Sequence, residues 1–372
     1  MAIRFPETYP EARVQFRDLA AGVRGLWHSL FLEARPLVDF PDLTVDWLYA
    51  VPSETRRQLL VVTTGLHGIE GYVGMGALQL FMQEFLPRLD PRVTGVLLIH
   101  ALNPWGMAHR QKTSAANVDL NRNFILGEVY PTDFNADYAA LHALFAPSQP
   151  VRQRDLGLLH FLLTLVRALR RFSAARVQEA FLIGQYCHAD GIYYGGTTLA
   201  EEMQLLLQLL RPCLDEYERV TYLEMHTGYG PRHQMSLVHS SQEPRNNHEL
   251  AAQFDYPLVV RTEPGAFYAI RGDVVDGLIS LARSEAPQTR FYGATFEFGT
   301  LGDSLFSKIR SMQAMVLANQ LRHYGAASVS VREEVQRRFE ALYAPRATSW
   351  REKALADAKR AFEGILRAED FL

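Results

Sequence analysis

Thr63-Thr64-Gly65-Leu66-His67-Gly68-Ile69-Glu70-Gly71 follows directly on Leu59-Leu60-Val61-Val62, an apolar run that reads as a buried strand. It offers an imidazole and a carboxylate three residues apart at a strand end, which is a metal-ligand spacing. Downstream, Asn117-Val118-Asp119-Leu120-Asn121-Arg122-Asn123-Phe124 gathers an acid, carboxamides and a guanidinium. That cluster is too polar for a core segment and too short for a solvated charged helix, so it reads as part of a site.

Working outward, Gly71 to Leu86 carries Met75, Leu78, Leu80, Phe81 and Phe85 on a broad apolar face, with Pro87 as a natural stop. Thr94 to His100 then reads as a second buried strand. Strand, helix, strand implies an α/β fold with a mixed central β-sheet flanked by helices, and in such sheets ligands bind beyond the strand carboxyl ends. Residues 10–35 read as helical, and Leu43, Val45, Trp47 and Tyr49 alternate at the strand period of two. Val220–Met225, Met235–His239 and Phe291–Phe298 read as further strands.

The pattern predicts a domain over 1–325, with a helical insertion at about 136–211 and a helical C-terminal extension over 326–372. A long helix from Ser304 to Tyr324 is closed by Gly325, and Ser330 with Glu333 and Ser349 with Glu352 are capping-box signatures. The extension is expected to be an appendage with no catalytic part. Between the inserted helices, Gly184 to Gly196 is a glycine and tyrosine loop that either covers a cleft or forms a turn anchored by tyrosines.

Composition narrows the function classes. Basic residues number 38 and acidic ones 41, so a formal charge of -3 gives no electrostatic reason to expect nucleic acid or an anionic membrane. A small substrate of neutral or mixed charge fits better. Cys187 and Cys213 are too few for a disulfide framework, the first residues lack a secretory core, and no stretch is apolar enough to span a bilayer. A cytoplasmic chain is expected.

Hydrolytic zinc sites use three ligands from His and carboxylate side chains and leave a fourth position to water. His67 and Glu70 supply two, and His226, after the Val220 strand and before Gly228, is the best-placed third. His28, His142, His160 and His323 lie in helical stretches and read as surface or satisfied core residues, while His109, His188, His233 and His239 are weaker candidates.

The order His67-x-x-Glu70, Asn103-Pro104-x-Gly106, Arg110, Asp119-x-Asn121-Arg122-Asn123, His226 and Glu297 resembles the zinc carboxypeptidase superfamily, the carboxypeptidase A-like enzymes, over roughly residues 59–300. It is most similar to a bacterial branch carrying HGxEG, NPWG, VDLNRNF, HTGxG and EFGT. The resemblance implies a zinc carboxypeptidase-like (phosphorylase/hydrolase-like) fold and one Zn²⁺ held by His67, Glu70 and His226. Glu297 would be the general base, Arg110 would face the oxyanion, and Asn121 with Arg122 would grip a substrate carboxylate. Asp119 would orient His67, and Tyr268 would be a mobile tyrosine at the site, with Tyr193, Tyr194 and Tyr292 as alternatives. The implied activity is cleavage of an amide bond beside a free carboxylate in a small peptide or acylated amino acid. An N-acyl-amino-acid deacylase of the aspartoacylase/succinylglutamate desuccinylase type, or a zinc-binding protein without turnover, are the alternative readings.

Overall fold

The computed structural model describes residues 2–127, 129–262 and 270–372. Its framework is a mixed sheet of eight strands: β1 (Ser29–Pro36), β2 (Thr44–Val51), β3 (Gln58–Thr64), β4 (Thr94–His100), β5 (Arg219–Thr227), β6 (Met235–His239), β7 (Val259–Arg261) and β8 (Arg290–Phe298). They are ordered β1-β2-β4-β3-β5-β8-β6-β7. β4, β3, β5 and β8 run parallel to one another, while β1, β2 and β6 join antiparallel to their inner neighbours.

β3 and β4 are buried along their whole length, as expected for parallel strands covered on both faces. Leu60, Val62 and Leu98 point into one core with the helices Tyr9–Gly22, Gly71–Glu84 and Thr348–Ala368. Leu59, Val61, Leu97 and Ile99 point into the other, against the helices Glu201–Glu216 and Val274–Glu285. The α/β sandwich and the strands expected around 59–62, 94–100, 220–225, 235–239 and 291–298 are therefore present.

Four expectations need correction. The helix expected over 10–35 ends at Gly22, and Ser29–Pro36 forms β1. This strand has one neighbour and no clean alternation of burial, so it left little period-two signal. Within the predicted insertion, the helix Glu201–Glu216 belongs to the sheet layer through Met203, Leu206, Leu210 and Leu214. The helices Ala136–Phe145, Leu158–Leu169 and Ala174–Leu182 pack on one another at the rim and join the core of the sheet through Tyr138, Phe145, Phe161 and Phe181. The capping boxes were misplaced as well: Ser328 caps the helix Val329–Tyr343, and the next helix begins at Thr348 after Ala347.

The last correction bears on function. The C-terminal extension is not an appendage, because Val335, Leu342, Trp350, Phe362 and Ile365 share one core with the sheet. The Phe362 ring lies 5.3 Å from Phe81, 5.7 Å from Phe85 and 4.8 Å from Phe296 of β8. Phe362→Ala is expected to cost about 3–5 kcal/mol in urea unfolding, within a single transition of the whole chain. Early melting of the extension alone, with the rest unmoved, would contradict this integration.

Candidate metal centre and substrate cavity

Parallel strands deliver the cluster. β3 turns at Gly65, with φ of 69°, into His67 and a single 3-10 turn over Gly68–Glu70. β5, hydrogen-bonded beside β3, ends at the same sheet edge with His226, and β8 places Glu297 directly beside His226 in the register. His67 Nδ1 and His226 Nδ1 lie 3.0 Å apart. Glu70 completes the triangle, with Oε1 3.0 Å from His67 Nδ1 and Oε2 3.2 Å from His226 Nδ1. The Thr227 N–H donates to Glu70 Oε2 at 2.8 Å and helps to fix it.

The outer nitrogen of His67 settles its tautomer. His67 Nε2 is 3.0 Å from Asp119 Oδ1, and a carboxylate can only accept, so Nε2 carries the proton and Nδ1 presents its lone pair. Burial would raise the Asp119 pKa, but the His67 ring that donates to it and the nearby Lys112 ammonium outweigh it and hold the carboxyl well below its usual range. His226 Nε2 stands 3.0 Å from Glu224 Oε2, out of line for a hydrogen bond, and neither atom has another hydrogen-bond partner among the described residues. Tyr222 donates to Glu224 Oε1 at 3.1 Å, and Thr63 donates to the Tyr222 hydroxyl at 3.0 Å. Burial opposes charging of His226, yet Glu224 and Glu70 hold its pKa well above the ordinary value. This ligand set fits a divalent cation: two imidazole nitrogens and a carboxylate converge in a buried place, each imidazole beside an acid, and a bound cation would displace the proton that His226 carries there.

Glu297 is 8% exposed and lines the same cavity. Burial pushes its carboxyl up to about 7, against the pull of His226 and of the Tyr229 N–H, which donates to Oε1 at 2.9 Å. A carboxyl tuned near neutrality suits proton transfer. Asn121 and Arg122 also line the cavity, whose volume is about 190 Å³. Asn121 donates to Asp273 Oδ2 at 3.1 Å and accepts from the Val274 N–H at 3.0 Å. Arg122 donates to the carbonyls of Asn121 and Leu182 and stacks 4.8 Å from the centre of the Tyr193 ring. Its Nε is buried with no hydrogen-bond partner among the described residues.

Arg110 is not brought to this cluster. Its guanidinium donates to the Glu7 carbonyl at 2.5 Å, pairs with Glu340 at 3.2 Å and lies over Tyr72. The cation that reaches the cluster is Lys112, with Nζ 2.6 Å from His67 Nδ1 and 3.2 Å from Glu70 Oε1. Burial would discharge it, but Glu70 and Asp119 keep its pKa raised. Asn103 and Gly106 build its support. Asn103 accepts from the Gly106 N–H at 2.8 Å, and the Gly68 and Ile69 N–H groups donate to the carbonyls of Lys112 and Gln111.

Sequence reasoning missed Lys112, Glu224 and Tyr343. Lys112 sits in an irregular segment where no period marks its direction, whereas Glu224 was readable as the i−2 neighbour of His226 on one strand face. Tyr343 lines the cavity from the extension that was set aside as non-catalytic. Tyr268 lies outside the described residues. Of its alternatives, Tyr193 lines the cavity, whereas Tyr194 and Tyr292 are not among its lining residues.

Residues 5–357 match the family described as "Protein of unknown function (DUF2817)". The chain belongs to that family. The match runs across residue 325, where the sequence suggested a boundary. No curated protein matches the chain. Among solved structures, it is similar to carboxypeptidase A from Helicoverpa armigera, at 12% identity over 91% of this chain and 74% of that one, with a TM-score of 0.47. A provisionally assigned metallopeptidase from Shewanella amazonensis SB2B is similar at 14% identity over 84% and 93%, with a TM-score of 0.44. A provisionally assigned succinylglutamate desuccinylase/aspartoacylase from Shewanella frigidimarina is similar at 16% identity over 81% and 73%, with a TM-score of 0.36.

The turn carrying Glu70 depends on one close approach. A Cβ on Gly68 would stand 2.1 Å from the backbone of Gly106 and Met107. Gly68→Ala is therefore expected to cost about 3 kcal/mol or more in denaturant unfolding, since backbone and not a flexible side chain must yield. A loss under about 1 kcal/mol would show that the two turns can separate freely.

Proposed function

We propose that the protein is a zinc-dependent hydrolase of the carboxypeptidase kind, cleaving an amide bond beside a free carboxylate in a small peptide or acylated amino acid. The observation that carries this reading is the meeting of His67 Nδ1, His226 Nδ1 and Glu70 within 3.0 to 3.2 Å, with Glu297 beside them. Zinc bound there would lower the pKa of a coordinated water to about 7 and polarise the scissile carbonyl. The protein's own residues do the rest. Glu297 accepts the proton of the attacking water and returns it to the leaving nitrogen. Arg122, with Asn121 beside it, offers its unmet N–H groups to the substrate carboxylate. Asp119 holds the His67 imidazole in the orientation that presents Nδ1, and the Glu224 carboxylate stands 3.0 Å from His226 Nε2.

Lys112 supplies the positive charge for the developing oxyanion, in place of Arg110. A metal ion and an ammonium cannot share the same lone pairs, and Nζ already lies beside the rings of Tyr193 and Tyr343, at 5.8 and 5.3 Å. Its flexible stem lets the ammonium turn to the cavity.

Glu297→Gln is expected to keep the zinc content of the wild type while lowering hydrolysis of C-terminally free peptides and acyl amino acids by about 10²–10⁴-fold. Full activity in that variant would refute the mechanism, and equal turnover of amidated substrates would refute the carboxylate requirement. In the wild type, kcat/KM should fall as pH drops through the Glu297 pKa, because the protonated acid cannot accept a proton. The midpoint should lie between the ordinary carboxylate value and about 7, since a bound cation pulls the carboxyl down from there.

Replacing the ammonium separates charge from fold. Lys112→Met should lower kcat by about 10²–10³-fold with zinc content unchanged, and Lys112→Arg should recover part of the loss. An unchanged kcat in Lys112→Met would place the ammonium outside the reaction.

A further inference from the structure

A second group of metal-binding side chains lies outside the cavity, on the rim helices. His142, His188 and Asp190 each offer a ligand atom within 4.8 Å of the others. They come from separate places. His142 is in the last turn of the helix Ala136–Phe145, and His188 and Asp190 are in the loop that also carries Tyr193. His142 Nε2 lies 3.1 Å from Asp190 Oδ1, and the other carboxylate oxygen accepts from the Tyr324 hydroxyl at 3.1 Å. Asn319 donates to the Asp190 carbonyl at 2.8 Å. The loop is thereby tied to the helix Leu305–Tyr324 as well.

Two features set this group apart from an ordinary His–Asp pair. The His188 ring stacks on His142 with centroids 3.9 Å apart, and no ring nitrogen of His188 has a hydrogen-bond partner among the described residues. This imidazole is held against the pair by ring contacts, with His142 and with Tyr138 at 6.1 Å, and not by a hydrogen bond, so turning its lone pair inward breaks none. The spacing also suits an ion. Two ligands at 2.0–2.1 Å from a tetrahedral zinc stand about 3.3 Å apart, close to the His142–Asp190 separation.

We propose that His142, His188 and Asp190 form a second site for a divalent d-block cation, separate from the His67–Glu70–His226 cluster. Two imidazoles and one carboxylate favour zinc, nickel or copper over calcium or magnesium, which take all-oxygen shells. The metal replaces the proton shared by His142 and Asp190, and all three groups are half-exposed, which gives the ion an entry path. Its structural effect is to clasp the inserted helix, the Tyr193 loop and the end of the helix Leu305–Tyr324 together, and so to stiffen one wall of the cavity.

The test is zinc titration of metal-free protein against a chromophoric chelator. Wild type is expected to bind two equivalents, His67→Ala one, His188→Ala one, and the double variant none. In the His67→Ala background zinc should still raise Tm, and Asp190→Asn, which keeps the side-chain size, should abolish that rise. His67→Ala with no bound zinc, or His188→Ala and Asp190→Asn binding as much as wild type, would overturn the second site. Neither outcome touches the first cluster, which is read from hydrolysis and from the His188→Ala stoichiometry.

Discussion

Two imidazole nitrogens and a carboxylate meeting at about 3 Å in a buried pocket repel unless a proton or a cation stands among them. That constraint explains much of the surrounding structure. Asp119 and Glu224 sit behind the two rings, and the hydrogen bond from the outer nitrogen of His67 to Asp119 leaves the inner one able to accept. The raised pKa of His226, the lowered one of Asp119 and the charged state of buried Lys112 are consequences of the same excess of acceptors over donors.

The sheet supplies the precision that such a cluster requires. Glu297 is held in the ladder on both sides, opposite His226 of β5 and Ser236 of β6, and His67 follows three residues after the last residue of β3, at the same end of the sheet. Glu70 cannot come from a strand, and its turn is instead keyed into the Asn103–Gly106 turn by the absence of a side chain at Gly68. The same contact sends the chain on to Lys112. Arg322 then pins the following loop, donating to Thr113 and to the carbonyls of Ser114 and Ala115 while lying 4.8 Å from the Trp105 ring centre. One glycine and one arginine therefore govern where the ammonium goes.

This division explains what could be read from the sequence. β3, β4, β5 and β8 announced themselves because strands buried on both faces are apolar runs, and the residues just after them were the natural place to look for ligands. β1 and the three-residue β7 carried too little pattern to be seen. Arg110 and Lys112 lie in an irregular segment two residues apart, with Arg110 at φ of 51°, and there neither periodicity nor residue type tells which cation turns inward. The C-terminal helices read as an appendage because their apolar faces are as well explained by packing on each other as on the sheet.

Substrate choice was the least legible part, and the fold shows why. His67, Glu70, His226 and Glu297 stand at strand ends or in the turn just beyond one, but much of the cavity wall comes from elsewhere: Phe181 and Leu182 from the rim helices, Tyr193 from the loop that follows, Met315 from the helix Leu305–Tyr324, and Leu342 and Tyr343 from the extension. These segments meet only through tertiary packing, so no local pattern records their proximity. The walls also leave Arg122 half-engaged, its N–H groups shared between backbone carbonyls and open space beside a tyrosine ring. A guanidinium held in that way has little side-chain freedom left to lose. The placing of the Arg122 guanidinium is thus a property of the helical surroundings as much as of the Asn-Arg-Asn segment that carries the arginine.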